Sequence, residues 1–201
     1  MKTKKGFTLL ELLIVIGILA ILSTTVVLVI NPAQLLKKAR DSQRISDLNT
    51  LKTAIAYYIT ETGSPAIGTV YTEKTYSDVD AVLCGDNGVV TSTTTVVDGT
   101  GWIPVDFDGM TGGSPIGSLP TDPNKTAAGD NPGRYYVYLV GNATDLTFKL
   151  IANMESSYYS GPSGAGNVEA NDGGTEALLY EVGTSMSTPL VTSTATCYSA
   201  T

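Results

Sequence analysis

Histidine is absent from the chain, and with it go the Ser-His-Asp and Cys-His arrangements of nucleophilic catalysis and the usual zinc sites. Carboxylates are present, but no spacing marks an acid–base pair, so the sequence does not read as an enzyme. Cations are scarce: 12 Lys and Arg face 19 Asp and Glu in 201 residues, a formal charge of −7. Phosphate binding needs clustered cations, which argues against a nucleic-acid partner. Cysteine is limited to Cys84 and Cys197.

Charge is also missing from one long run. Residues 7–30, FTLLELLIVIGILAILSTTVVLVI, carry a single ionisable side chain, Glu11. As a helix the run is long enough for a hydrocarbon core of about 30 Å, which takes about 20 residues. A cleaved secretory signal has a shorter apolar core with a small-x-small site behind it. This run is too long for that, and no such site ends it. Lys2, Lys4 and Lys5 precede it, so the positive-inside rule places the N-terminus in the cytoplasm and the rest outside. Both cysteines then share an oxidising compartment. An even pair there favours a Cys84–Cys197 disulfide, worth about 4.7 kcal/mol for a loop of about a hundred residues; two unrelated thiols are the alternative. Glu11 itself is a problem: a carboxylate at the centre of a membrane helix costs about 2.5–3.5 kcal/mol.

Asn31-Pro32 interrupts the helix, since proline lacks a backbone donor and disfavours α geometry in the residue before it. A kink is expected there, because helical periodicity resumes at once. Ser23-Thr24-Thr25 is a candidate soft spot earlier in the helix. Ile45, Leu48, Leu51, Ile55 and Tyr58 follow three- and four-residue spacing and predict an amphipathic helix with one core face. Lys37, Lys38, Arg40, Asp41, Arg44 and Asp47 crowd its first half, so 33–44 reads as a solvated or subunit-facing stalk and 45–61 as packed on a domain. Gly63-Ser64-Pro65 ends the helix. Beyond it, 89–97 (VVTSTTTVV) reads as a strand and 97–125 as loop. Residues 134–140 and 147–152 read as an antiparallel hairpin, and 177–182 as a weaker strand.

Lys4-Lys5-Gly6-Phe7-Thr8-Leu9-Leu10-Glu11 resembles the class III signal of type IV pilins and type II secretion pseudopilins. Leu119-Pro120-Thr121-Asp122-Pro123 and Phe148-Lys149-Leu150-Ile151-Ala152-Asn153-Met154-Glu155 are similar, more loosely, to the sheet region of that family. The resemblance implies an α+β, pilin-like fold. A long N-terminal helix, transmembrane in its first half and amphipathic in its second, packs on a C-terminal antiparallel sheet. The corresponding divisions are a leader at 1–6, a membrane or filament-core helix at 7–30, its kinked continuation at 31–62 and a β-rich extracytoplasmic domain at 63–201.

In that family a prepilin peptidase cuts after the glycine, here between Gly6 and Phe7, and methylates the new amine on Phe7. The helix then leaves the lipid for a helical homopolymer, driven by burial of the 7–30 helices against one another and aided by an assembly ATPase and a membrane platform protein. Glu11 is expected to pair with the Phe7 amine of a neighbouring copy and set the register. The expected product is an extracellular pilus-like filament, with a type II secretion pseudopilin as the alternative and an adhesive or DNA-capturing minor pilin as a third reading. A disulfide often ties down the C-terminal region in the family, a role open to Cys84 and Cys197. No cofactor is required. Some major pseudopilins hold calcium in the loop after Leu-Pro-x-Asp-Pro, which makes Asp122 and Asn124 candidate ligands, although no EF-hand spacing is present.

Overall fold

The computed structural model describes residues 6–68, 73–75, 90–92, 94–124, 136–142, 144–160, 164–175 and 177–186. Helix α1 (Leu9–Ile30) opens on Thr8, whose extended backbone and side chain form an N-cap. The helix is apolar all round and its described side chains are exposed on every side, as for a helix meant for lipid or for other helices. Leu9–Val26 is long and apolar enough to cross a membrane. Ser23, Thr24 and Thr25 do not interrupt it. Their hydroxyls donate to the carbonyls of Leu19, Ala20 and Leu22 at 2.7–2.9 Å, so none of these three hydroxyls is left without a partner.

The expected kink is a full break one residue long. Asn31 adopts a left-handed backbone (φ 45°, ψ 75°), closes α1, and caps α2 (Pro32–Glu61) by accepting the Gln34 N–H on its side chain. Pro32 sits at the first position of α2, where its missing N–H costs nothing. Leu48, Leu51, Ala54, Ile55 and Tyr58 form the buried face of α2, and Ile45 is half-buried at its edge.

The sheet runs β2 (Val90–Thr91), β1 (Glu73–Thr75), β3 (Val137–Asn142), β4 (Thr147–Ala152), β5 (Tyr180–Gly183). The β3–β4 hairpin and the β4–β5 and β1–β3 pairings are antiparallel, giving the expected α+β layout; β1 and β2 pair in parallel. Phe148, Leu150, Ala152 and Val182 point toward α2, alternating with Lys149, Ile151 and Glu181, which are buried on the other face.

Two expectations fail. Among the described residues of the β-branched run at 89–97, strand is confined to Val90–Thr91. Thr94, Thr95 and Val97 instead accept backbone bonds from Trp102, Leu119 and Phe107, so the run scaffolds the following loop. That loop, rich in Gly and Pro, supplies Trp102, Ile103, Val105, Phe107 and Leu119 to the core. Gly101 permits it, because a Cβ there would collide with the Val96 carbonyl. The second failure is the stalk at 33–44: Asp41 and Arg44 are fully buried against the domain. Ion pairs, not apolar contacts, dock this half of the helix.

Candidate functional site

Gly6 and Phe7 lead into α1 in the open, with Phe7 80% exposed. One turn on, Glu11 closes a capping box with Thr8. Glu11 Oε2 accepts the Thr8 backbone N–H at 2.9 Å and its hydroxyl at 2.7 Å, while the Glu11 N–H donates to Thr8 Oγ1 at 3.2 Å. Both bonds from Thr8 fall on Oε2, leaving Glu11 Oε1 without a partner among the described residues. Within a single chain, therefore, Glu11 is partly neutralised by the helix start it stabilises. The Thr-x-x-Glu spacing at 8–11 is the signal that would have exposed this role from sequence.

The outward side of α2 continues the uncharged surface. Every exposed position of α2 is uncharged, from Leu35 and Leu36 through Ala39, Ser46, Thr50 and Thr53 to Tyr57 and Thr60, while every charged residue of the helix is half-buried or buried. That reverses the usual surface helix, which turns charge to water. Ser42, Thr50, Thr53 and Thr60 also donate their hydroxyls to carbonyls of their own helix, so this face makes few demands on solvent. Ser46, Asn49, Thr50, Thr53, Tyr57, Pro115 and Ile116 line a shallow open groove along it.

The charges turn inward to a hub. Arg44 donates Nε and Nη2 to the two oxygens of Asp122, Nη1 to Asp41 at 2.7 Å, and Nη2 also to Glu155 at 2.5 Å. Asp41 accepts the backbone N–H groups of Glu155 and Ser156, and Arg40 pairs with the Glu155 carboxylate. Burial opposes the charge on Arg44, but Asp122 and Glu155 outweigh it and hold the guanidinium above its ordinary range. Nearby, Lys38 lies 3.5 Å over the Tyr158 ring, which packs edge-on against Tyr159. The Tyr136 hydroxyl donates to Asp47, and burial followed by the Asp47 charge raises it far above the usual phenol value.

Asp122, a candidate calcium ligand by sequence, thus spends both oxygens on Arg44, and Oδ1 also takes the Asn124 backbone N–H. Among the described residues no group of three His, Cys, Asp or Glu side chains is arranged to hold a metal. Cys84 and Cys197 lie outside the described residues. The sequence reading missed the hub because Arg40, Asp41 and Arg44 look like solvated charge until the loops at 119–124 and 153–156 are folded onto them.

An apolar helix whose described side chains stand exposed leads into a second helix packed on an antiparallel sheet, an α+β layout. Residues 1–27 match the prokaryotic N-terminal methylation motif, the class III signal peptide of type IV pilins and pseudopilins. No curated protein and no solved structure matches the chain. A pilin-type motif indicates a structural subunit, and no similarity names a catalytic activity.

Proposed function

We propose that the chain is the structural subunit of a type IV pilus-like helical filament. It is made as a membrane-held precursor with its N-terminus in the cytoplasm, cut between Gly6 and Phe7, and methylated on Phe7. A prepilin peptidase, an assembly ATPase and a platform protein serve it, and lipid is replaced by copies of itself. The observation that carries this reading is the methylation motif, which runs through most of α1, together with the exposed apolar side chains of that helix, which find no apolar cover among the described residues. The uncharged outer face of α2 adds to it, since a filament gives both surfaces the same neighbours. Burying apolar surface at about 25 cal/mol per Å² makes helix bundling the natural driving force.

N-terminal sequencing of the mature protein is the first test. A start at methylated Phe7 is expected, and Gly6→Val should leave uncut precursor in the membrane; a mature chain beginning elsewhere overturns the reading. A type II secretion pseudopilin shares this N-terminal chemistry. Electron microscopy of sheared surface material separates the two: long fibres containing this chain mark a pilus, and their absence marks the shorter assembly.

A further inference from the structure

On the face of the sheet away from α2, Lys149 and Glu181 are both fully buried, with Lys149 Nζ 2.7 Å from Glu181 Oε1. They occupy adjacent strands, β4 and β5, in a register where Ile151 lies opposite Glu181 and Lys149 opposite Gly183. The surroundings treat the two oxygens of Glu181 differently. Oε1 faces the amine, whereas Oε2 accepts the Thr175 backbone N–H at 2.5 Å. Thr175 Oγ1 also accepts from Lys149 Nζ, at 3.3 Å, so one residue touches both partners. Asp172 holds this loop in place by accepting the Gly174 and Glu181 N–H groups at 2.7 and 2.6 Å. Position 174 must be glycine for so close a wrap, since a Cβ there would collide with Glu181 Oε2.

We propose that Lys149 and Glu181 condense into an intramolecular amide that cross-links β4 to β5. The parts required are an amine against a carboxyl carbon, exclusion of water, and an N–H donor where negative charge develops. The ion pair first becomes a neutral amine and carboxylic acid by moving one proton from Nζ to Oε1, which the burial of both side chains favours over separated charges. The Nζ lone pair then bonds to Cδ, and the carbonyl electron pair shifts onto Oε2, held by the Thr175 N–H. Collapse restores the C=O bond at Oε2 and breaks the Cδ–Oε1 bond. Oε1 leaves as water with the proton already received and a second from Nζ. Three ammonium protons become one amide N–H and two in water, and no oxidant or other reactant is needed. Thr175 and Asp172 are positioning residues in this scheme. Since β5 is the last strand of the sheet among the described residues, the bond would pin that edge.

The proposal does not depend on the filament reading, and intact mass spectrometry of the full chain tests it. The protein should be lighter by one water than its processed sequence, and digestion should release a branched peptide joining Lys149 to Glu181. Lys149→Arg keeps a cation beside Glu181 but offers no amine nucleophile, so that variant should regain the full mass. A wild-type chain at its full sequence mass overturns the cross-link and leaves a plain buried ion pair. A water loss that persists in Lys149→Arg overturns it too, because the dehydration then lies elsewhere. If the variant fails to fold, the branched peptide from the wild type decides alone.

Discussion

Arg44 of α2 and Asp122 of the loop after Leu119 meet in a two-point ion pair, Nε to Oδ2 and Nη2 to Oδ1, both at 2.7 Å and 78 positions apart in sequence. Asp41 and Glu155 complete the hub, so one buried guanidinium ties the helix to two loops. Buried pairs add little net stability over apolar packing, but losing one partner strands the rest as uncompensated charge. Arg44→Ala should therefore destabilise the chain by about 3–5 kcal/mol, with Arg44→Lys intermediate because an ammonium cannot reproduce the fork. Thermal denaturation of the detergent-solubilised protein measures this, and an unchanged midpoint for Arg44→Ala would show the hub to be idle.

Alkaline conditions probe the same core through its phenols. Burial raises Tyr136, Tyr138 and Tyr180 above the ordinary phenol value, with the Asp47 charge adding to the effect at Tyr136. Below about pH 10 the folded and unfolded states both keep these protons and no pH dependence arises from them. Above that value the unfolded chain releases protons that the folded chain retains, so stability falls as pH rises. Denaturation midpoints followed upward from neutrality should drop once pH passes about 10. Tyr136→Phe should make that drop shallower while lowering stability at neutral pH by about 1 kcal/mol for the lost bond to Asp47. An equally steep drop in the variant would remove Tyr136 from the account.

The outer face of α2 separates folding from assembly. Thr53 is exposed, and its hydroxyl bonds only to its own helix, at the Asn49 carbonyl. Thr53→Lys should leave the melting midpoint within about 0.5 kcal/mol of wild type, the usual range for surface substitutions. In a filament whose copies pack along this face the same lysine is buried unpaired, so fibres should be lost while precursor processing continues. Normal fibres from Thr53→Lys would place this face in solvent.

Parts of this architecture were legible in the sequence because they rest on local patterning. The long apolar run gave α1, the three- and four-residue spacing from Ile45 to Tyr58 gave the packed face of α2, and two strand-type runs joined by a short polar connection gave the hairpin. What stayed hidden depends on partners far along the chain. Arg44 resembles any solvated helix charge until Asp122 and Glu155 arrive, and Lys149 is an unremarkable strand residue until Glu181 is placed beside it. Trp102, Val105 and Phe107 were obscured differently. Their Gly- and Pro-rich neighbours predict loop, which is correct, but loop conformation does not by itself report burial.

Glu11 is the residue on which these levels converge. Thr8 gives its carboxylate two bonds within the chain, both on Oε2, so an unassembled subunit carries it at less cost than an isolated charge would incur. Cutting after Gly6 would place a new amine on Phe7, adjacent to Thr8, and Oε1 remains available to the amine of a neighbouring copy. The capping and pairing roles can be separated. Thr8→Ala removes the cap and should cost the helix start about 1 kcal/mol while leaving the carboxylate in place, so fibres should persist. Glu11→Ala removes both roles and should leave cleavage largely intact but abolish fibres, because the Phe7 amine then has no counter-charge in an apolar core. Immunoblots for processing and electron microscopy for fibres read the two steps independently. Loss of fibres in both variants would assign the requirement to the helix cap, and normal fibres from Glu11→Ala would refute the pairing.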